Sequence, residues 1–237
     1  MRSAKLPRVF SSSRFCPKPH VEGNNIYRHC GLHDILREFK RPINSQDVTP
    51  ASINRYLDVI RAHLKFHHRP RFIHKNTNNS LRIPYLNELF PDAKFIHIIR
   101  DGQAAAMSLC HVDFWDNMPL WWDGRTTKEY LREGEDPLVL AGRHWQKTVM
   151  AARSTAKDLP STRYMELKYE DFVSQPAEKM NQMQTFCELV PDSAFQIELH
   201  HNPVKNLNQR WSDSFSDQAI RRLDEQIRKT RQLLSYE

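Results

Sequence analysis

Arg100 follows an unbroken apolar run, and Ser108 follows Arg100 eight residues later. A guanidinium presents a planar fork of donors that matches phosphate oxygens, and a hydroxyl adds one more. Together they would clamp a phosphorylated ligand. Lys75 and Tyr169 close two other short stretches that read as strands. If those strands lie beside the first in a parallel sheet, a second cation and a phenol converge on the same edge, where open α/β sheets bind ligands. The cations would face phosphates and the phenol would flank a flat base. The competing reading pairs Arg100 with an acid and makes Ser108 a packing residue.

The elements that must position these groups can be read from periodicity and punctuation. Phe95-Ile96-His97-Ile98-Ile99 is apolar and rich in β-branched residues, as in a strand covered on both faces. Arg100-Asp101-Gly102 breaks that run, and Ala104 to Met107 are helix formers. Thr49-Pro50 is a helix start, and Ile53, Leu57, Ile60 and Leu64 make the apolar stripe of a helix running to about His67. Arg71 to Lys75 reads as a short strand, Leu81 to Phe90 as a helix, and Arg163 to Tyr169 as a third strand. Asp136-Pro137 opens a long helix to about Leu159, another spans Ser174 to Leu189, and Ser216 caps a last one to about Leu234. In that last helix Ile220, Leu223, Ile227 and Leu234 face inward, with Arg221, Arg222, Arg228 and Arg231 mostly outward. Ile26 to Phe39 is expected to be helical. The stretch from Val112 to Glu135 reads as a long loop carrying Phe114, Trp115, Trp121, Trp122 and Tyr130, of the kind that forms lids. Strand, helix, strand, helix predicts an α/β fold with a mostly parallel central sheet flanked by helices. Residues 1–24, rich in Ser, Pro and cations, are expected to be irregular, and residues 25–237 to form a single domain.

With Lys+Arg 35 against Asp+Glu 28, the chain carries a net charge of +7, and its mean hydropathy is −0.70. That balance favours anionic ligands without choosing among them. No stretch approaches the roughly 18 apolar residues of a membrane span, and no signal-peptide core precedes the domain. Cys16, Cys30, Cys110 and Cys187 lack a disulfide-framework spacing, which suits a reducing compartment and a cytoplasmic location. Cys16, His20, Cys30 and His33 are spaced too irregularly for a zinc site, and the adjacent pairs His67-His68 and His200-His201 do not share a face, so no metal is expected. None of the six glycines sits in a complete Gly-rich nucleotide loop.

FPDAKFIHIIRDGQAAAMS at 90–108 resembles the 3′-phosphate-binding motif of sulfotransferases that use 3′-phosphoadenosine 5′-phosphosulfate as donor. The resemblance implies a P-loop-NTPase-like sulfotransferase fold, with Arg100 and Ser108 on the 3′-phosphate. HKNTNNSLRIPYLNELF resembles the family's Lys-containing strand end and following helix. LKYEDFVSQP at 167–176 resembles its YED segment and implies that Tyr169 lies near the adenine. NQRWSDSFSD at 208–217 resembles the late segment before the final helix, which implies nucleotide contacts by Arg210 and Trp211. The resemblance runs in order from about residue 71 to the C-terminus. The family's first strand and phosphosulfate loop have no counterpart in residues 7–15, which implies a member lacking both.

Lys75 is then the candidate for the transferring group and His74 a conceivable base, although alternation points neighbours to opposite faces and favours Lys75. Trp115, Trp121 and Trp122 fall where relatives cover the acceptor, and indole faces suit sugar rings or aromatic alcohols. The implied activity is sulfuryl transfer to a hydroxyl or amine of a glycan or small molecule. The alternatives are a catalytically impaired or truncated nucleotide-binding paralogue, and a basic polyanion binder. No nucleic-acid motif supports a nucleic-acid partner.

Overall fold

The structure, a computed structural model, describes residues 42–190 and 193–236, apart from the side chains of residues 67 and 193–196. The helix expected at 26–39 and the Cys16–His33 group lie outside these residues. The chain divides between Pro91 and Asp92 into two compact units.

In the first unit, α1 (Pro50–His67) starts where Thr49 and Ser52 cap each other's backbone N–H groups, at 3.1 and 3.0 Å, with Pro50 in the first turn. It ends on His68 in the left-handed region (φ 51°). A short 3-10 turn over Thr77–Leu81 leads into α2 (Ile83–Leu89). Tyr56 on α1 is buried, with its ring edge-on to Tyr85 at 6.4 Å and to Phe90 at 5.9 Å. Residues 71–75 do not form the expected strand. They take no regular secondary structure, and Phe72 lies edge-on to His63 of α1 at 5.9 Å. The alternation that reads as a strand is real, yet here one face of the segment rests on a helix.

The second unit holds a two-stranded parallel sheet, β1 (Phe95–Ile99) and β2 (Tyr164–Lys168), paired Phe95 with Tyr164 through Ile99 with Lys168. Both strand assignments and the parallel pairing agree with the sequence reading, but the expected cover on both faces of β1 does not hold: only Ile99 is buried and Ile98 is 55% exposed. β1 runs into α3 (Gly102–Leu109), and α4 (Thr127–Arg132) interrupts the stretch expected to be a loop. After α5 (Pro137–Ala156) and β2 come α6 (Tyr169–Ser174), α7 (Pro176–Phe186), α8 (Ser193–His201) and α9 (Asp217–Leu233). The helix expected to start at Ser174 to Pro176 is α7, opening on Pro176 and ending three residues short of Leu189, and α6 before it was not expected; Pro176 keeps the two apart because a proline cannot continue a preceding ladder.

α5 is the hub. Its buried face, including Leu138, Ala141, Trp145 and Val149, packs on α3 and α9. The approaches are close: a Cβ on Gly102 would lie 2.7 Å from the Trp145 ring, and one on Gly142 would lie 2.3 Å from Leu223. Glycine at these two positions lets three helices stack without a gap.

His144, also on α5, lies edge-on to Trp115 and tilted to Trp122, each at 5.8 Å. Burial pushes its pKa down to about 4. The unfolded imidazole takes its proton near pH 6.5 and the folded one only near 4, so stability is lost as pH falls through that window. At about 1.4 kcal/mol per pKa unit the loss reaches about 3 kcal/mol. His144→Phe is expected to flatten the fall in urea midpoint between pH 7 and pH 4. An unchanged slope would contradict this assignment.

Candidate functional site

The corner between β1 and α3 is held at every backbone step. The Ile99 carbonyl accepts from the Tyr236 hydroxyl at 2.8 Å, and the Arg100 carbonyl from the Trp145 indole at 3.1 Å. The Asp101 N–H donates to Glu170 at 3.0 Å, and the Asp101 carboxylate caps α3 by accepting from Gln103 and Ala104 N–H at 3.0 and 3.1 Å. The same carboxylate pairs with Arg231 Nε at 3.0 Å, and Arg231 Nη1 reaches Asp224 at 2.6 Å. Arg231 therefore turns inward, contrary to its expected outward position. It lies four residues after Ile227, on the buried face of α9, and two carboxylates make that burial tolerable. Burial, followed by the nearby Glu170 charge, pushes the Tyr236 phenol above its ordinary pKa, which keeps it a neutral donor.

With its backbone fixed, Arg100 projects beside the end of β2. Its Nε donates to Asn208 Oδ1 at 2.9 Å, its Nη2 to the Leu207 carbonyl at 2.7 Å, and its Cζ lies 5.2 Å from the Tyr169 ring centre. Asn208 in turn donates to Glu170 at 2.7 Å. Tyr169 donates to the Lys205 carbonyl at 3.2 Å and accepts from the Leu207 N–H at 3.3 Å. Both groups bonded to Arg100 are neutral oxygens, and among the described residues no carboxylate forms an ion pair with it. Several other cations of this unit do pair with acids, among them Arg153 with Glu166, Arg143 with Glu135 and Arg222 with Asp136. Arg100 is thus aimed by dipoles while its charge stays uncompensated, a suitable state for receiving an anion.

The 205–211 segment runs from Arg100 toward the far end of α3, where Trp211 stacks on His111 at 3.9 Å and 12°. Arg210 lies over Trp211 at 4.7 Å, and His111 Nδ1 bonds the Met107 carbonyl at 2.9 Å. Ser108 sits on α3 between these anchors, one turn before His111 and half-buried. The structure therefore brings Arg100 and Tyr169 together and places Arg210 and Trp211 on the 205–211 segment, while Ser108 stands on α3.

The aromatic residues divide. Trp115 is buried in the core, and its carbonyl accepts from Thr127. Trp121 and Trp122 are half-buried and edge-on to each other at 5.8 Å. Their indoles donate to Thr148 and Tyr130, each at 3.2 Å, and Lys147 lies over Trp122 at 5.2 Å. His74 and Lys75 belong to the first unit, where His74 is half-buried beside Phe72 and Lys75 is exposed. Asn76 accepts from the Asn78 N–H at 2.8 Å and so opens the 3-10 turn. Sequence reasoning missed Asn208, Glu170, Trp145 and Tyr236. The only available signal was the presence of the first two in the YED and NQRW segments.

Among the described residues, no cluster of His, Cys, Asp and Glu could hold a metal ion, and no helix is long and apolar enough to cross a membrane. The fold and corner together define an α/β protein with an uncompensated guanidinium at the carboxyl end of a parallel strand. The chain belongs to the sulfotransferase family, whose model matches residues 28–193. That match begins well before residue 71 and stops short of the 208–217 segment. Two relatives, omega-hydroxy-beta-dihydromenaquinone-9 sulfotransferase Stf3 of Mycobacterium bovis and of Mycobacterium tuberculosis, are each 29% identical over 118 residues. This stretch is 50% of the present chain and 29% of each relative, so the chain spans less than a third of their length. No solved structure matches the chain at comparable significance.

Proposed function

We propose that the chain transfers a sulfuryl group from 3′-phosphoadenosine 5′-phosphosulfate to an acceptor hydroxyl. One observation supports the nucleotide part: Arg100 is oriented by Asn208, Leu207 and Tyr169 and, among the described residues, is paired with no acid. On this reading Arg100 and Ser108 grip the 3′-phosphate, Tyr169 flanks the adenine, and Arg210 and Trp211 close over the nucleotide from the 205–211 segment. The catalytic roles rest on resemblance: Lys75 would donate to the oxygen left on the departing nucleotide, with His74 the conceivable base for the acceptor proton. The sulfur–oxygen bond to the donor phosphate breaks, and a bond to the acceptor oxygen forms. The products are a sulfate ester and 3′-phosphoadenosine 5′-phosphate.

The acceptor class is a small molecule or glycan, with Trp121 and Trp122 offering half-exposed indole faces and Trp115 supporting them from the core. The acceptor in the relatives' name is a hydroxylated menaquinone, which agrees with a hydroxyl acceptor. The test is calorimetric titration with 3′-phosphoadenosine 5′-phosphate followed by a transfer assay with labelled donor. Saturable binding and labelled product are expected, and absence of binding would defeat the reading. Binding without transfer under a range of hydroxylated acceptors would instead favour a nucleotide-binding relative without catalysis, as the unmatched phosphosulfate loop suggests.

A further inference from the structure

The 205–211 segment is fastened to the corner without help from the Asn208 side chain. The Tyr169 hydroxyl donates to the Lys205 carbonyl at 3.2 Å and accepts from the Leu207 N–H at 3.3 Å. Arg100 Nη2 donates to the Leu207 carbonyl at 2.7 Å, and the Asn208 N–H donates to Asn206 Oδ1 at 2.9 Å. The Asn208 amide is left for another task. Its oxygen accepts from Arg100 Nε at 2.9 Å, and its nitrogen donates to Glu170 Oε1 at 2.7 Å. A guanidinium and a carboxylate therefore meet opposite ends of one amide instead of each other.

Elsewhere in this unit opposite charges at such close quarters touch, as Arg231 does Asp101 and Arg153 does Glu166, each at 3.0 Å. Arg100 and Glu170 are both half-buried, and among the described residues they form no ion pair with each other. Coulomb attraction in a partly desolvated corner would favour that pair. It would also oblige a phosphate to compete with a carboxylate for the same donor fork. An amide avoids the conflict through its polarity. Its carbonyl end serves the cation and its N–H end serves the anion, so both are bonded and neither is neutralised. An ionised aspartate has no N–H for Glu170, and an aliphatic side chain would bond neither group.

We propose that Asn208 is a positioning residue that keeps Glu170 off Arg100 and so preserves the guanidinium for a phosphate. The identity of that phosphate as the nucleotide's rests on the function proposed above; the separation of charges does not. The test is calorimetric titration with 3′-phosphoadenosine 5′-phosphate. Glu170 Oε1 takes both the Asp101 N–H and the Asn208 amide, so a glutamine carbonyl keeps both bonds. Glu170→Gln alone should therefore change affinity less than about three-fold. Asn208→Ala removes the spacer and should weaken binding about ten-fold, and adding Glu170→Gln should restore most of that loss. Combining Asn208→Asp with Glu170→Gln conserves net charge but moves the carboxylate onto Arg100, and should weaken binding about thirty-fold. A residue that only anchored its segment would show neither the rescue nor the loss on exchange. A second measurement needs no ligand. In urea denaturation, Glu170→Gln should lower the midpoint more in Asn208→Ala than in the wild type, because only there has an Arg100–Glu170 pair formed. Wild-type affinity in Asn208→Ala, a loss that Glu170→Gln fails to rescue, a neutral exchange, or equal urea shifts would overturn the proposal. Failure of the wild type to bind the nucleotide would instead defeat the nucleotide reading, and the urea comparison would then decide the role of Asn208 by itself.

Discussion

Arg100→Ala is expected to weaken binding of 3′-phosphoadenosine 5′-phosphate by about a hundred-fold or more while leaving the melting temperature nearly unchanged. The affinity loss follows from the chemistry of the corner. A charge-assisted contact from an oriented guanidinium to a phosphate contributes about 3 kcal/mol, or roughly a factor of a hundred. The small stability effect follows from the division of labour within the residue. Trp145 binds the Arg100 carbonyl, and Tyr236 and Glu170 hold the backbone on either side, so the strand end keeps its shape when the side chain is removed. Arg210→Ala, an exposed cation stacked on Trp211, should cost less, about ten-fold at most. Calorimetric titration of the three proteins decides the matter. Equal affinity in wild type and Arg100→Ala would sink the assignment.

Arg231→Met is expected to lower folding stability by about 3 kcal/mol, the cost of leaving buried carboxylates without their counter-ion. Its side chain and that of Asp101 are each only 14% exposed. Asp101 is also the cap of α3, so the loss is transmitted to the helix that carries Ser108. Arg228→Met provides the contrast: this side chain is 53% exposed and its contact with Asp224 is long, at 4.0 Å. Such pairs contribute about 0.5 kcal/mol or less. Urea denaturation of both variants should separate them by several-fold in stability loss, and similar losses would refute the structural role given to Arg231.

The contrast also shows what could be read from the chain alone. Helices announced by a cap and a proline, such as Thr49-Pro50 and Asp136-Pro137, start where expected, because their signals are local. β1 was readable for the same reason, as four apolar residues around His97 stopped by Arg-Asp-Gly. Arg231 was not: within an apolar stripe a cation reads as outward, and its burial is explained by Asp224 on the same helix together with Asp101, 130 residues earlier. The mutual capping of Thr126 and Glu129 that starts α4 is a local signal, but six residues of helix inside an aromatic stretch read as loop. Arg71 to Lys75 failed as a strand because alternation reports which side chains turn inward, not whether a neighbouring strand exists. The strand-to-helix corner was legible in residue types, whereas its orienting partners Asn208 and Glu170 arrive from distant segments.

Tyr236 fastens the Ile99 carbonyl, and the neighbouring Ser235 carbonyl accepts from Lys168 at 2.6 Å. The tail of the last helix is thereby tied to the ends of both strands. A group carried on Ser235, whose side chain is exposed, would sit close to the ends of both strands. A fluorescent label joined there would sense ligand arrival as a change in its own surroundings, whereas a purification handle in the same place would risk crowding the corner.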